Sequence, residues 1–151
     1  MPSPTISHLI CTVALISLIF VMQFYYFYAV NSLQVQMVEK ELKEVADYIA
    51  NTIENLYIIA NSSSDDVHLK KELTLPERIQ DSAYVVEIVK SGAFASSVHA
   101  YMKLSPSIEA YTWLISGLKV ETQNSIESGK GNVFLECERR GGEIYVWFSS
   151  L

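Results

Sequence analysis

The stretch Phe20–Ser64, FVMQFYYFYAVNSLQVQMVEKELKEVADYIANTIENLYIIANSSS, decides the reading of the whole chain. It leaves an oily segment through five consecutive aromatics, Phe24–Tyr28, and becomes a mixed polar and apolar pattern. Helices are interrupted by glycine and proline. Neither occurs from Thr5 to Leu75, so nothing obliges the chain to break where its composition changes. The expectation is one helix that begins in the oily segment and ends near Asn61. The alternative is two helices with a hinge at Asn31-Ser32.

Toward the N-terminus, Leu9–Val30 is broken only by Thr12, Ser17 and Gln23 as clearly polar residues. A helix of that length spans about 33 Å, enough for a hydrocarbon core of about 30 Å. All 11 basic and 17 acidic side chains of the 151-residue chain lie after Val38. The aromatics at the exit suit the headgroup level, where an apolar body and a wet tip are both satisfied. A cleaved signal peptide would have a basic lead, a shorter apolar core and a small-residue cleavage site. This segment has none of these and reads as a retained transmembrane helix, residues 9–30, after a short tail, residues 1–8. Its partner is the lipid bilayer.

Beyond the aromatics, apolar residues recur at Val35, Val38, Leu42, Val45, Ile49, Leu56 and Ile59, with Thr52 in the missing place. That alternation of threes and fours is a heptad seam. Ala46, Ile53 and Ala60 widen it. A strict seam suits a coiled coil and self-association through the helix; a widened stripe suits a helix lying on its own domain. Residues 31–61 therefore continue the membrane helix as an amphipathic one.

Residues 62–151 read as an antiparallel β head, a small sheet or a sandwich, making the chain α+β. Asn61–Asp66 is a polar turn cluster. The period then changes to two. Tyr84–Val89 and Phe94–Leu104 are expected strands around a Lys-Ser-Gly turn, and Ile108–Ser116 leans to strand. Leu118–Gln123 follows, and Asn124–Asn132 reads as a loop. Val133–Glu138 and Glu143–Phe148 flank Arg139-Arg140-Gly141-Gly142, a hairpin signal. In the last run Ile144, Val146 and Phe148 share one side and Tyr145 and Trp147 the other, so both faces need cover. Tyr145 and Trp147 are the candidate interface residues.

The net charge of −6 argues against nucleic-acid binding, which needs clustered Lys and Arg. His8, His68 and His99 occupy separate settings: a membrane edge, a loop, and a strand with no acidic neighbour in sequence. Cys137 lies between Glu136 and Glu138, which would raise its pKa and dull it as a nucleophile. Cys11 lies in the oily segment, out of its reach. No metal-ligand spacing, phosphate loop or nucleophile elbow is present. No catalytic residue, metal ligand or cofactor is assigned, and the chain is not expected to be an enzyme.

The overall plan, with Leu75-Pro76-Glu77-Arg78-Ile79 followed by Tyr84-Val85-Val86-Glu87-Ile88, resembles the type IV pilin superfamily. More narrowly it is similar to archaeal pilin-like and archaellum-associated single-pass membrane proteins. Met1–His8 has no basic residue beyond His8, and the apolar run lacks the early glutamate of bacterial pilins. The match is therefore to a membrane-held accessory subunit more than to a processed filament subunit. The resemblance implies a cell-envelope location, with the N-terminus cytoplasmic and the head extracellular. It implies partners among surface-layer, pilus or archaellum proteins, bound through the head. Asn61-Ser62-Ser63 is a candidate glycan acceptor in a loop, consistent with that orientation. The competing reading is a membrane-tethered sensor or ligand-binding module that acts with a separate signalling partner.

Overall fold

The computed structural model describes residues 4–121 and 124–150. Met1–Ser3 of the expected tail, and Thr122 and Gln123 at the end of the expected strand Leu118–Gln123, lie outside the described residues. The chain is α+β: helix α1 (Pro4–Ser62) is followed by eight strands. These are β1 (His68–Leu73), β2 (Tyr84–Ser91), β3 (Phe94–Met102), β4 (Glu109–Trp113), β5 (Leu118–Val120), β6 (Ser125–Glu127), β7 (Val133–Arg140) and β8 (Glu143–Ser150). The chain divides into two compact units, the first ending at Met37 and the second beginning at Val38.

In the first unit α1 is apolar on every side, exposes its large side chains from Ile6 to Tyr28, and is long and apolar enough to cross a membrane. The helix is unbroken through Asn31-Ser32. Its two hydroxyl residues satisfy themselves: Thr12 donates to the His8 carbonyl at 2.8 Å and Ser17 to the Val13 carbonyl at 2.9 Å. Such back-bonding lets hydroxyls sit in an apolar helix.

In the second unit, residues 38–62 of α1 lie across one face of the sheet. Val38, Leu42, Val45, Ala46, Ile49, Ala50, Ile53, Leu56 and Ala60 are buried, together with Thr52, whose hydroxyl donates to the Tyr48 carbonyl at 2.8 Å. The heptad seam is corrected at both ends: Val35 is 39% and Ile59 52% exposed. A straight helix turns every 3.6 residues, so a 3.5-residue seam drifts about 20° per heptad. The sheet therefore meets a stripe that moves from Val45 to Ala46, and from Thr52 to Ile53. The stripe packs on the sheet of its own chain, so from Val38 to Leu56 it is not free to pair with a sister helix. Each large buried side chain contributes about 1.5–3 kcal/mol, more than helix propensity supplies.

The helix end is capped from a distance. Its last turn has no basic residue, but Arg139 of β7 donates to the carbonyls of Ala60 at 3.3 Å and Asn61 at 3.4 Å, and also to that of Ser63. Unpaired carbonyls at a helix C-terminus are thus satisfied by the hairpin.

The strands form one sheet, not a two-sheet sandwich, in the order β1-β7-β8-β5-β3-β2-β6, with β4 beside β3. It is antiparallel except at its middle, where β5 runs parallel to β8 with Lys119 opposite Tyr145. On the other side β5 pairs with β3, among the described residues, through Phe94–Lys119. Strand β5 thus joins two antiparallel halves. Three expectations are corrected. β1 was not anticipated, because its charged run HLKKEL carries no apolar alternation; such charges suit an exposed sheet edge. Ser125–Glu127, read as loop, pairs with β2 as β6. The last hairpin turns on Gly141-Gly142 alone, at φ 59° and 87°, so Arg139 and Arg140 are strand residues.

Between β1 and β2, the Ile79–Ser82 turn places Gln80 and Asp81 at φ 44° and 61°, a conformation that side chains rarely adopt. Two backbone bonds between Ile79 and Ser82, at 3.1 and 3.0 Å, hold it. The buried Tyr84 donates its hydroxyl to the Pro76 carbonyl at 2.7 Å, and burial pushes its pKa up to about 12. The Leu-Pro and Tyr-Val-Val segments are therefore tied together physically.

Candidate functional site

The sheet face turned away from α1 carries the polar and aromatic side chains. On β8, Ile144, Val146 and Phe148 enter the core, while Tyr145 and Trp147 lie half-buried on the outer face. The chain's own cations cover them. The Arg140 guanidinium lies 5.7 Å from the Tyr145 ring centre and 6.0 Å from that of Trp147. Lys119 Nζ approaches the Tyr145 ring at 5.8 Å. His68 stacks on Trp147 with centroids 5.8 Å apart. Cations over ring faces are attracted by the ring quadrupole. Both faces of β8 are thus covered, one by the helix-packed core and the other by long charged side chains.

Around these rings the charges are paired. Glu136 accepts from Ser149 at 2.5 Å, His68 at 3.0 Å and Lys70 at 3.1 Å. Arg140 bridges Glu121, at 2.9 Å, and Glu138. The Ser149 hydroxyl, with Lys70 and His68, holds the Glu136 carboxyl below the usual range despite its partial burial. The expectation of His68 in a loop is corrected: it stands on β1 opposite Glu138.

A second constellation lies on β2, β3 and β4. His99 was read as having no acidic neighbour, and sequence distance misled. Cross-strand pairing places Glu87 Oε1 3.1 Å from Nδ1 and Glu109 Oε2 3.0 Å from Nε2. Tyr111 stacks on the ring at 4.2 Å and donates its hydroxyl to Glu109 at 3.1 Å. Each ring nitrogen lies within hydrogen-bond distance of a carboxylate, which ties the ring to β2 on one side and β4 on the other. Among the described residues no group of three or more His, Cys, Asp or Glu is placed to hold a metal ion.

The most exposed aromatic of the head is one the alternation of Ile108–Ser116 contained but did not single out. Trp113 is 78% exposed at the end of β4, beside the 46% exposed Tyr111. The signal available was its place on a short strand next to a turn. Among the described residues strand β4 pairs only with β3, which leaves its other edge without a strand partner there. Part of that edge is blocked: Lys43 Nζ of α1 takes the Tyr111 carbonyl and the Thr112 hydroxyl, each at 2.8 Å. Lys43 also pairs with Asp47 at 2.9 Å. Burial alone would raise the Asp47 pKa, but Thr112 and Lys43 bring it below the usual value.

Asn61 lies in the last turn of α1, not in a loop, and its residue is exposed. Cys137 is buried, and its thiol is pushed up to about 11 by burial. The cause is not the flanking glutamates, which alternate to the other side of β7. Comparison with known protein families, characterised proteins and solved structures finds no match to this chain.

The outer face also sets an acid limit. Glu127 is held down to about 2, first by its hydrogen bond to Lys103 and then by that to Lys130. Glu138 is lowered by Arg140, and Glu143 by Lys119 and Tyr145. A carboxyl whose folded pKa is depressed stabilises the fold fully above its unfolded value and loses that contribution as pH falls through the folded value. The head is therefore expected to lose stability progressively from about pH 4.5 down to about 2, read as a falling urea midpoint. Added salt should shrink the effect, because these pairs are reached by solvent. A midpoint flat across that window would contradict the pairing.

Proposed function

We propose that this chain is a membrane-anchored, pilin-like structural or accessory protein of the cell envelope, whose β head makes protein–protein contacts. The observation that carries the reading is α1 itself: one uninterrupted helix, apolar on all sides over its first part and committed to a sheet over its last. In this reading residues 9–30 lie in the bilayer, the N-terminus is cytoplasmic and the head is extracellular. The exposed Asn61 sequon at the helix end supports that orientation, since a glycan there meets solvent. The paired histidines and the inert Cys137 support a binding role over catalysis.

Protein contact is assigned first to Trp113 and Tyr111, at the open edge of β4. Large exposed aromatics at an edge are the type of residue that anchors interfaces. Tyr145 and Trp147 are supporting members, because their rings are already covered. The test is the double substitution Trp113→Ser with Tyr111→Ser, followed by in-cell crosslinking to neighbouring envelope proteins. Its expected result is a head that melts within a few degrees of the parent and loses its crosslinked partners. Unchanged partners would remove β4 from the interface.

A further inference from the structure

We infer that β4 carries a docking site for a basic side chain, an arginine or lysine presented by a partner protein of positive surface charge. The inference rests on the reading of β4 as the protein-contact edge and deepens it. It starts from a repeat in the sequence. Glu109-Ala110-Tyr111-Thr112-Trp113 on β4 and Glu143-Ile144-Tyr145-Val146-Trp147 on β8 share the pattern Glu-x-Tyr-x-Trp. Ala110, Ile144 and Val146 are buried, so alternation puts the Glu, Tyr and Trp of each strand in a row on the outer face. Both rows begin alike. The tyrosine hydroxyl donates to the glutamate two residues before it, Tyr111 to Glu109 at 3.1 Å and Tyr145 to Glu143 at 2.7 Å. A histidine stacks on each row, His99 on Tyr111 and His68 on Trp147.

The rows differ in one component. On β8 the chain supplies the cations itself. Lys119 Nζ pairs with Glu143 at 2.6 Å and lies 5.8 Å from the Tyr145 ring centre, and Arg140 spans the rings of Tyr145 and Trp147. On β4 it does not. Among the described residues no lysine or arginine lies over Tyr111 or Trp113, and none pairs with Glu109 or Glu87. His99 bridges these two carboxylates, but an imidazole carries no fixed charge. Lys43 reaches β4 through the Tyr111 carbonyl and the Thr112 hydroxyl, and its carboxylate partner is Asp47. Two carboxylates without a fixed counter-charge, next to two exposed rings, draw a cation through Coulomb attraction and the ring quadrupole together. Arginine fits best, since its plane stacks on a ring while its fork reaches a carboxylate. The occupant belongs to a different protein, because a chain of net charge −6 repels its own copy and attracts a basic surface.

The test uses the full-length chain in dodecylmaltoside micelles. The chain has two tryptophans, so Trp147→Phe leaves Trp113 as the reporter and Trp113→Phe leaves Trp147. Each is titrated with the peptide acetyl-Gly-Arg-Ser-Arg-Gly-amide and with its citrulline counterpart, which has the same shape and no charge. Trp113 emission is expected to respond to the arginine peptide and to bind the citrulline peptide roughly fivefold more weakly, while Trp147 stays silent. Glu109→Gln with Glu87→Gln should weaken arginine binding roughly fivefold and melt within a few degrees of the parent. Glu109→Gln alone, which keeps the Glu87–His99 contact, should weaken it roughly twofold. No Trp113 response, equal binding of the two peptides, or binding unmoved by both glutamine variants overturns the inference. In-cell crosslinking separates it from the reading beneath it. Partners are expected to be lost both with Trp113→Ser plus Tyr111→Ser and with the double glutamine variant. Partners lost only with the aromatic pair leave β4 as the contact edge and overturn the cation. Partners kept in both remove the edge and the inference with it. A crosslinked product of two copies of this chain, lost with the glutamine variant, overturns the assignment to a different protein.

Discussion

A chain shortened to Ser32–Leu151 is expected to leave the membrane fraction completely while its head melts within a few degrees of the full-length protein. The removed part contains 12 Leu, Ile, Val and Phe residues between Leu9 and Val30 and no charge. At roughly 0.3–0.6 kcal/mol each, they favour the bilayer by about 4–7 kcal/mol, a partition change on the order of a thousandfold or more. The retained part loses almost nothing. Among the described residues the buried core runs from Val38 to Phe148, and Val35 and Met37, which precede it, are exposed. Ser32 is also a suitable first residue, since its hydroxyl can cap the new helix start. Carbonate extraction and thermal unfolding of both chains check the two halves. A shortened chain that still pellets with membranes would place the attachment in the head. One that loses its cooperative transition would show that residues 1–31 support the fold.

The second large effect is in the core. Phe148→Ala is expected to destabilise the head by about 3–5 kcal/mol, read as a lower urea midpoint at unchanged slope. Phe148 is fully buried on the central strand β8, in the same apolar cluster as Leu42, Ile49 and Ile53 of α1. Removing the ring leaves a cavity at the helix–sheet contact. Domains of this size are stable by only about 5–15 kcal/mol, so one such cavity takes a large share. Trp147→Ser, one residue earlier and on the outer face, should cost much less, because its ring packs under Arg140 and His68 and not in the core. Equal losses from the two substitutions would show that the outer face is packed as tightly as the core.

Particular elements show what local pattern reveals and what it hides. Helix α1 was legible because a helix needs only its own residues: no Gly or Pro, then apolar residues spaced in threes and fours; the drift of the buried stripe away from that seam was not. The hairpin of β7 and β8 was legible because its alternation and Gly-Gly turn are local. Strand β1 was not, since a charged edge strand is defined by the neighbour it joins and not by an apolar period. His99 shows the same limit in a site. Glu87 is twelve residues away and Glu109 ten, and only the pairing of three strands brings both carboxylates to one ring.

The order of residues alone thus decided where charge begins, which segment is oily enough for a bilayer, and that a helix precedes a β-rich part, because these depend on composition and short-range periodicity. Tertiary structure decided the rest: that the amphipathic stripe faces its own sheet, that β5 joins two antiparallel halves through a parallel pair, that Arg139 caps the helix, and that Tyr145 and Trp147 are covered while Trp113 is bare. Those outcomes depend on which distant strands become neighbours, and long-range pairing is chosen by the packing of the whole core.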